Sequence, residues 1–502
     1  MIAENAMKNH QLVFIGLLVA GLLLAGCKEG RTIQSDHPEE TGALDIFQAG
    51  LIESERTHLE QFDTATQYTL HLTFHEPFTE IVGREQVIYF NNEDVPFEEI
   101  YLRMFPNNSG DTMVVTQILV DGEEIPVQTA YKNSALRVAL PALLQPGESV
   151  VLDLVYTIQI PTDFGGNYGL FSYSDGILAL DQVYAIIPVY DDEEWNVEEP
   201  APNGDMIYTD PAFFTVTVEA PADLVIAATG VLVEEHQTDG GKAQTFVAGP
   251  VRDFYLAASK QYASVSEQVG ETLVTSYFPE GYEEGGEFVL DVAVNALRSF
   301  NERLGVYPYT ELDLVGTPMQ AAGMEYSGIV AMSTQFYDLE ATFSGVPAFT
   351  YLESATAHEV AHEWFFNMIM SDQIDEPWID EGMAQFLTSL YYEDRYGVAA
   401  AERYQESWSS RWSRVDFKPM PIGLPAQDYT EAEYGAIIYG RAPLFIQSLR
   451  DNMGEDAFME FLKAAFSSFK WEILNTGDFQ ALAGETCGCD LQARFSNWVF
   501  DK

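Results

Sequence analysis

Residues 357–386 of this chain have the sequence AHEVAHEWFFNMIMSDQIDEPWIDEGMAQF. Within it, His358, Glu359 and His362 form the pattern H-E-x-x-H. On a helix the two histidines are four residues apart on one face, so both imidazoles can bind one metal ion. The apolar residues around them predict a buried helix, in which imidazoles without a partner would be costly. We therefore expect a metal site here rather than a solvated pair of histidines.

The third metal ligand is predicted in the following segment. A zinc ion used in hydrolysis takes three protein ligands at about 2.0–2.2 Å and leaves one position for water. Eighteen residues separate His362 from Glu381, which is enough to end one helix, turn, and begin a second helix with Pro377 in its first turn. The sequence thus predicts one Zn²⁺ per chain, held by His358, His362 and Glu381.

Three motifs together resemble a known family. Residues 358–367 (HEVAHEWFFN) and 378–384 (WIDEGMA) are similar to the zinc signature of the M1 metallopeptidases, the family of aminopeptidase N and leukotriene A4 hydrolase. Residues 322–326 (AGMEY) are similar to the family's G-A-M-E-N exopeptidase motif, and residues 439–442 (YGRA) to its Y-x-K-G motif. The motifs occur in the family's order. The resemblance runs from about residue 66 to the end of the chain and is weaker in the first half.

The motifs assign chemical roles to individual residues. Glu359, between the two histidines, is the predicted general base toward water. By resemblance, the Tyr439 hydroxyl stabilises the oxyanion of the reaction, and its spacing and context favour it over the nearby Tyr434. Glu325 would pair with the α-ammonium of a substrate and restrict cleavage to the N-terminal residue. Its neighbour Tyr326 stands where the family usually has Asn, which could alter the first side-chain pocket.

A further amine-binding residue is expected from the first half of the chain. The resemblance implies a Gln or Glu there that helps to hold the free amine of the substrate. Gln182, in the segment LDQVY, is the nearest candidate, although residues 185–195 depart from the family's pattern. The alternative is that Gln182 is an amide at the end of a strand.

The pattern of apolar residues predicts an α+β protein with two main domains. Residues 1–26 are a predicted lipoprotein signal peptide and residues 27–62 an acidic tether. Short alternating runs with Gly-rich turns predict an all-β, sandwich-type domain over residues 63–265. Helical periodicity begins near residue 287, and residues 266–502 are expected to form a mainly helical zinc peptidase domain, thermolysin-like by resemblance. We expect no counterpart of the C-terminal helical domain of larger family members.

Composition excludes one class of partner. The chain has 78 Asp and Glu against 24 Lys and Arg, giving a net charge of −54. Such a surface repels nucleic acid, so no nucleic-acid binding is expected. We interpret the acidic bias as a solvated surface rather than as a device that steers cationic substrates.

The beginning of the chain predicts export. An apolar run from Leu12 to Gly26 is too short for a comfortable membrane span and is typical of a signal peptide. Residues 24–27 (LAGC) resemble a bacterial lipobox, which predicts lipidation of Cys27 and a catalytic domain held outside the cytoplasm at a membrane. The alternative is an ordinary signal peptide with an incidental cysteine.

Cys487 and Cys489 are predicted to be a local structural pair or free thiols, and the choice stays open.

The predicted function is that of a zinc aminopeptidase acting on peptides with a free N-terminus. There are two alternatives, one a different zinc enzyme and the other a protein without enzymatic activity. A zinc endopeptidase or an epoxide hydrolase-like enzyme would use the same metal without the amine-binding carboxylate. A non-enzymatic lipoprotein would carry an inactive peptidase domain beside a ligand-binding β domain.

Overall fold

The computed structural model describes residues 44–110, 112–162, 168–197 and 203–500. The predicted signal peptide, Cys27 and residues 27–43 of the predicted tether lie outside these ranges. Within them, no helix combines the length and the apolar character needed to cross a membrane.

The first part of the described chain is built from strands. Alternation of buried and exposed residues, as in Leu70, His71 and Leu72, gives each strand one face toward the core. Labelled β1 to β19 in chain order, the strands are Gln67–Phe74, Glu80–Phe90, Phe97–Arg103, Met113–Val120, Glu123–Ile125, Thr129–Ala130, Ala135–Leu144, Ser149–Gln159, Phe171–Ser174, Ile177–Leu180, Tyr190–Asp191, Glu194–Trp195, Ala212–Ala220, Val225–Ala228, Val231–Thr238, Gly241–Val251, Leu256–Ser259, Tyr262–Val269 and Thr272–Pro279.

These strands form several sheets. The largest has eight strands in the order β15-β16-β13-β1-β2-β8-β4-β5, in which β1 and β13 are parallel and the other neighbours antiparallel. A four-stranded sheet has the order β14-β17-β10-β9, and a three-stranded sheet the order β3-β7-β6. The paired inward residues Leu70 and Val216 are both fully buried, which places the core of this part on one face of the large sheet.

The second part is mainly helical. Helices α1 to α9 are Glu283–Arg303, Ala348–His362, Pro377–Tyr396, Val398–Ser413, Glu431–Ala436, Ala442–Met453, Glu455–Phe469, Thr476–Cys487 and Gln492–Trp498, with a π-helical turn over Ile437–Arg441. Strands β20 to β26 are Glu311–Thr317, Gly323–Tyr326, Ile329–Ser333, Thr342–Phe343, Val346–Pro347, Ile369–Met370 and Glu472–Ile473. The order β18-β19-β20-β22-β21 leaves β21 at the edge of a five-stranded sheet. Helix α2 contacts both this edge strand and α3.

The predicted fold class, an N-terminal β domain followed by a mainly helical part, is confirmed. The proposed boundary between residues 265 and 266 falls inside β18, which with β19 belongs to the same five-stranded sheet as β20, β22 and β21 of the second part. The division into domains therefore stays a prediction, and residues 44–500 pack as one compact unit.

The tether predicted over residues 27–62 is wrong for its second half. Residues Asp45–Gly50 and Arg56–Gln61 form two short 3-10 helices. Phe47, Leu51 and Leu59 are buried, and Phe47 packs against Phe213 with ring centroids 4.8 Å apart. The apolar residues of this segment are few and lack a regular period. Its burial depends on residues distant in sequence, so neither composition nor periodicity predicts it.

The two cysteines near the end of the chain are paired. The structure joins Cys487 and Cys489 in a disulfide, which resolves the alternatives that the sequence left open. Gly488 between them adopts a left-handed conformation with φ of 58° and ends α8. The pair therefore closes the end of a helix.

Candidate metal centre

Helix α2 carries the H-E-x-x-H residues in its last turns. It follows Pro347 and ends at His362, and its C-terminal half is buried on all sides. His358, Glu359 and His362 are only 1–7% exposed, and Glu381, in the first turns of α3, is 3% exposed. Helix α3 begins at Pro377, where the fixed φ of proline suits the first turn. The two helices thus bring four ionisable groups into one buried space.

Three donor atoms from these helices form a triangle suited to one metal ion. Nε2 of His358 is 3.1 Å from Oε2 of Glu381 and 3.3 Å from Nε2 of His362, and the third side of the triangle is 3.7 Å. Ligands held 2.0–2.2 Å from a tetrahedral ion are about 3.3–3.6 Å apart. Two imidazole nitrogens and a carboxylate also match the chemistry that zinc prefers. The donor set therefore fits the predicted zinc ion.

Asp380 orients the second histidine. Its Oδ1 lies 2.5 Å from Nδ1 of His362, which also lies 3.0 Å from the carbonyl oxygen of Phe365. These contacts hold the proton on Nδ1 and leave Nε2 free to bind a metal. Gln373 in turn donates to Oδ2 of Asp380 at 2.7 Å. Burial alone would lower the pKa of His362, but the charges of Asp380 and nearby carboxylates outweigh it and raise that pKa.

Two other sets of three donors lie close together, namely His358, Glu359 and His362, and Glu325, His362 and Asp380. In each set the donor atoms are within 4.8 Å of one another. Asp380 faces Nδ1 of His362, on the side of the ring away from His358, so it cannot share an ion with Nε2. The set containing Glu381 has donor separations of 3.1–3.7 Å, and Glu381 stays the predicted third ligand.

Glu359 is positioned beside the triangle by close packing against the edge strand. A Cβ atom at Gly323 in β21 would collide with the Glu359 side chain, so glycine is required there. Burial, with the charge of Glu381 as a smaller contribution, raises the pKa of Glu359 to about 8, although His362 opposes the shift. A carboxylate with a raised pKa can take up a proton at neutral pH.

Glu325 reaches the same space from β21, at 6% exposure. Its Oε1 accepts from Nε2 of Gln373 at 3.2 Å, so Gln373 bridges Glu325 and Asp380. Burial raises the pKa of Glu325 well above its usual range, and the charges of Asp380 and Glu359 add to that effect while His362 opposes it. This concentration of acidic groups attracts a cation.

Tyr439 lies in the π-helical turn and its hydroxyl donates to Oε1 of Glu381. A cavity of about 260 Å³ opens beside it, lined among others by Glu325, Glu359, Glu381 and Tyr439. Tyr434 is not among the described residues that line this cavity. The structure therefore places Tyr439, rather than Tyr434, in the described lining of this cavity.

Gln182 has a different position. It follows β10, adopts a positive φ of 43° and is fully buried, and neither atom of its amide has a hydrogen-bond partner within the described residues. The described lining of the cavity does not include it. Its assignment as an amine-binding residue stays a prediction.

The structure adds residues that sequence reasoning did not assign. Asp380 directly precedes Glu381, and this adjacency was the one available signal. Gln373 and Asp205 come from loops without a motif. Asp205 is half-buried, yet burial raises its pKa well above the usual range, and Glu325 and Glu381 are close enough to add to the shift. The backbone of this loop is fixed by a hydrogen bond from Ile207 to Oε1 of Gln373 at 3.1 Å.

Comparison of sequences identifies related proteins. Residues 288–498 match the family model described as "Peptidase family M1 domain". Aminopeptidase 2 of Candida albicans is 25% identical over 306 residues, which cover 58% of this chain and 33% of that protein. Aminopeptidase M1-A of Oryza sativa subsp. japonica is 26% identical over 308 residues, covering 57% of this chain and 34% of that protein. The matches thus span about a third of the length of these relatives.

Comparison of structures gives a more extensive likeness. The crystal structure of an M1 zinc metallopeptidase from Deinococcus radiodurans matches 87% of this chain and 93% of its own, with a TM-score of 0.62 and 21% identity. A variant of that protein bound to a Tyr-Ser-Ala substrate also has a TM-score of 0.62, at 20% identity, covering 87% and 94% of the two chains. At these identities the likeness shows a shared fold.

Proposed function

We propose that the protein is a zinc-dependent aminopeptidase that removes N-terminal residues from peptides, because residues 288–498 match the family model described as a peptidase family M1 domain. The observation that carries this proposal is the triangle of His358, His362 and Glu381, with Glu359 and Glu325 beside it in one cavity. The names of the relatives, which are aminopeptidases, agree with it.

In the proposed reaction each residue around the cavity has a distinct task. A zinc ion held by His358, His362 and Glu381 would supply Lewis acidity toward water and toward the scissile carbonyl. Glu359 accepts the proton of the attacking water and returns it to the leaving amine. Tyr439 turns its hydroxyl from Glu381 to the carbonyl oxygen as negative charge develops there.

Glu325 gives the proposal its exopeptidase character. Its carboxylate lies on the edge strand β21, where a peptide can pair by main-chain hydrogen bonds. A buried carboxylate binds an ammonium group strongly, because the charge is otherwise poorly compensated. The α-ammonium of the substrate therefore supplies the missing cation, which sets the distance from the N-terminus to the scissile bond.

The test uses zinc-loaded protein and pairs of substrates that differ only at the amine. We expect hydrolysis of aminoacyl anilides and little hydrolysis of their N-acetylated forms. Glu325→Gln should lower kcat/KM for the free-amine substrate by about 100-fold or more, whereas Glu340→Gln, an exposed control in the same part of the chain, should not. Efficient cleavage of N-acetylated peptides would favour the endopeptidase alternative, and zinc bound without any turnover would favour an inactive binding protein.

We also propose that the protein is exported and held at a membrane by a lipid on Cys27. The support is the short apolar run from Leu12 to Gly26 followed by the lipobox-like sequence at residues 24–27. Metabolic labelling with an alkyne fatty acid tests this proposal. Wild-type protein should carry the label and sediment with membranes, and Cys27→Ser should lose both properties. Equal labelling of both proteins would contradict the proposal.

A further inference from the structure

The cavity beside the metal centre is strongly polarised. Three carboxylates, those of Glu325, Glu359 and Glu381, line it together with a single cationic side chain, Arg411. Arg411 is the only Lys or Arg on its wall in the part of the chain that the structure describes. A substrate that spans the cavity therefore meets negative charge at one place and positive charge at another.

Arg411 retains most of its hydrogen-bonding capacity. It lies in the last turn of α4, where Nη1 donates to the carbonyl oxygen of Tyr439 at 3.2 Å. Among the described residues, no carboxylate lies within 4.0 Å of its guanidinium, and its other N–H groups have no acceptor. Arg303 and Arg450, by contrast, both pair with Glu393. A half-buried guanidinium without an anion in so acidic a chain is suited to binding an anion from outside.

The position of Arg411 matches the reach of a short peptide. Its guanidinium carbon is 5.8 Å from the centre of the Tyr439 ring, and the His358 ring lies 6.0 Å from the same centre. The cationic group and one predicted metal ligand therefore both lie beside the Tyr439 ring. Because an extended peptide advances about 3.3–3.6 Å per residue, a carboxylate one or two residues beyond the scissile bond can reach Arg411.

We propose, on the basis of the proposed function, that Arg411 binds a carboxylate on the leaving-group side of the scissile bond. The preferred substrates are then short peptides with an ammonium group at one end and a carboxylate near the other. That carboxylate is either the C-terminus of a dipeptide or tripeptide or the side chain of an acidic residue after the scissile bond. Arg411 is thus a specificity-determining residue on the wall of the same cavity, in addition to Glu325.

Kinetics with four peptides test the proposal. The first pair is Ala-Ala-Ala and its C-terminal amide, and the second is the amides of Ala-Glu-Ala and Ala-Gln-Ala. In at least one pair the wild-type enzyme should prefer the charged member by about 10- to 100-fold in kcat/KM, mainly through KM. Arg411→Met should abolish that preference. Arg414→Met removes an exposed charge at the end of the same helix and should preserve it.

Two results would overturn the proposal. One is equal kcat/KM for both members of each pair in the wild type. The other is an equal loss for all four peptides in Arg411→Met, which would mean that Arg411 only positions Tyr439 through their hydrogen bond. Thermal melting of each variant checks that the fold is intact.

A binding measurement separates this proposal from the aminopeptidase assignment. Glu359→Gln removes the general base, so peptides can be titrated into that variant by calorimetry without cleavage. Ala-Ala-Ala or the Ala-Glu-Ala amide should bind more tightly than its uncharged partner, and Arg411→Met in the same background should remove the difference. If the wild type hydrolyses none of the peptides and this difference in binding persists, the proposed function fails and the role of Arg411 stands.

Discussion

Nδ1 of His362 and Oδ1 of Asp380 lie 2.5 Å apart, both within the buried region between α2 and α3. The carboxylate fixes the tautomer of the ring, so that Nε2 faces His358 and Glu381. Such carboxylate–histidine contacts commonly account for a 10- to 100-fold effect on metal affinity.

Asp380→Asn should therefore weaken zinc binding by about 10- to 100-fold while the fold is kept. Competition with a chromogenic chelator measures the affinity. Asp375→Asn, in the exposed part of the preceding loop, is the matched control and should bind zinc as the wild type does. Unchanged affinity in Asp380→Asn would show that the contact has no influence on the metal.

The third ligand can be identified by zinc-dependent stabilisation. A ligand that binds only the folded state raises its stability by mass action, so zinc should raise the Tm of chelator-treated wild-type protein by several degrees. Glu381→Ala should lose most of this increase, and Glu359→Gln should keep it. The opposite pattern would favour the set of His358, Glu359 and His362.

Tyr439→Phe should lower kcat by about 100- to 1000-fold with little change in KM, because the hydroxyl acts on charge that develops only in the transition state. Steady-state kinetics with an aminoacyl anilide measure both constants. Tyr434→Phe is the comparison, since that ring lies 6.0 Å from Tyr439. A larger loss in Tyr434→Phe would reverse the assignment.

Glu85 makes the stability of the β part depend on pH. It is buried on β2 and accepts from the backbone N–H of Ala185 at 3.0 Å, and burial raises its pKa from 4.5 to about 8. Between these values the folded protein keeps a proton that the unfolded chain has lost. The free energy of unfolding should therefore fall as pH rises from 5 to 8, by at most about 1.4 kcal/mol per unit from this group.

Urea unfolding at pH 5 and pH 8.5 checks that effect. Glu85→Gln should be more stable than the wild type at pH 8.5 and similar to it at pH 5. Glu123→Gln, which removes an exposed carboxylate from β5, should leave the pH dependence unchanged. A parallel loss of stability in Glu85→Gln at both pH values would mean that packing, not ionisation, dominates at this site.

Local patterns were sufficient for part of the architecture and of the site. The alternation in residues 68–74 and the proline at position 377 are properties of short segments, and the structure has a strand and a helix start at those places. His358 and His362 share one helical face, so their proximity follows from spacing alone. Glu381 was predicted from its spacing after His362 and from the need for a third ligand, and the family resemblance then agreed with that choice.

The remaining features depend on contacts between distant segments. Asp205 and Gln373 reach the site from loops, and Arg411 from the far end of α4, so no spacing rule connects them with His358. Gln182 is not in the described lining of the cavity, and its assignment as an amine-binding residue stays a prediction. Phe47 is buried against the distant Phe213, and Leu51 pairs through its backbone with the distant Tyr309.

Residues 45–61 contact both the β part and the helical part of the described protein. Phe47 rests on strand β13, while the N–H of Ile52 donates to the carbonyl oxygen of Pro308 at 2.9 Å and Glu55 pairs with Lys470 at 2.5 Å. A recombinant version begun at residue 63 would keep every residue of the metal centre. It would nevertheless lose the contacts that this segment makes with β13, Pro308 and Lys470, and expression designs should therefore start upstream of residue 45.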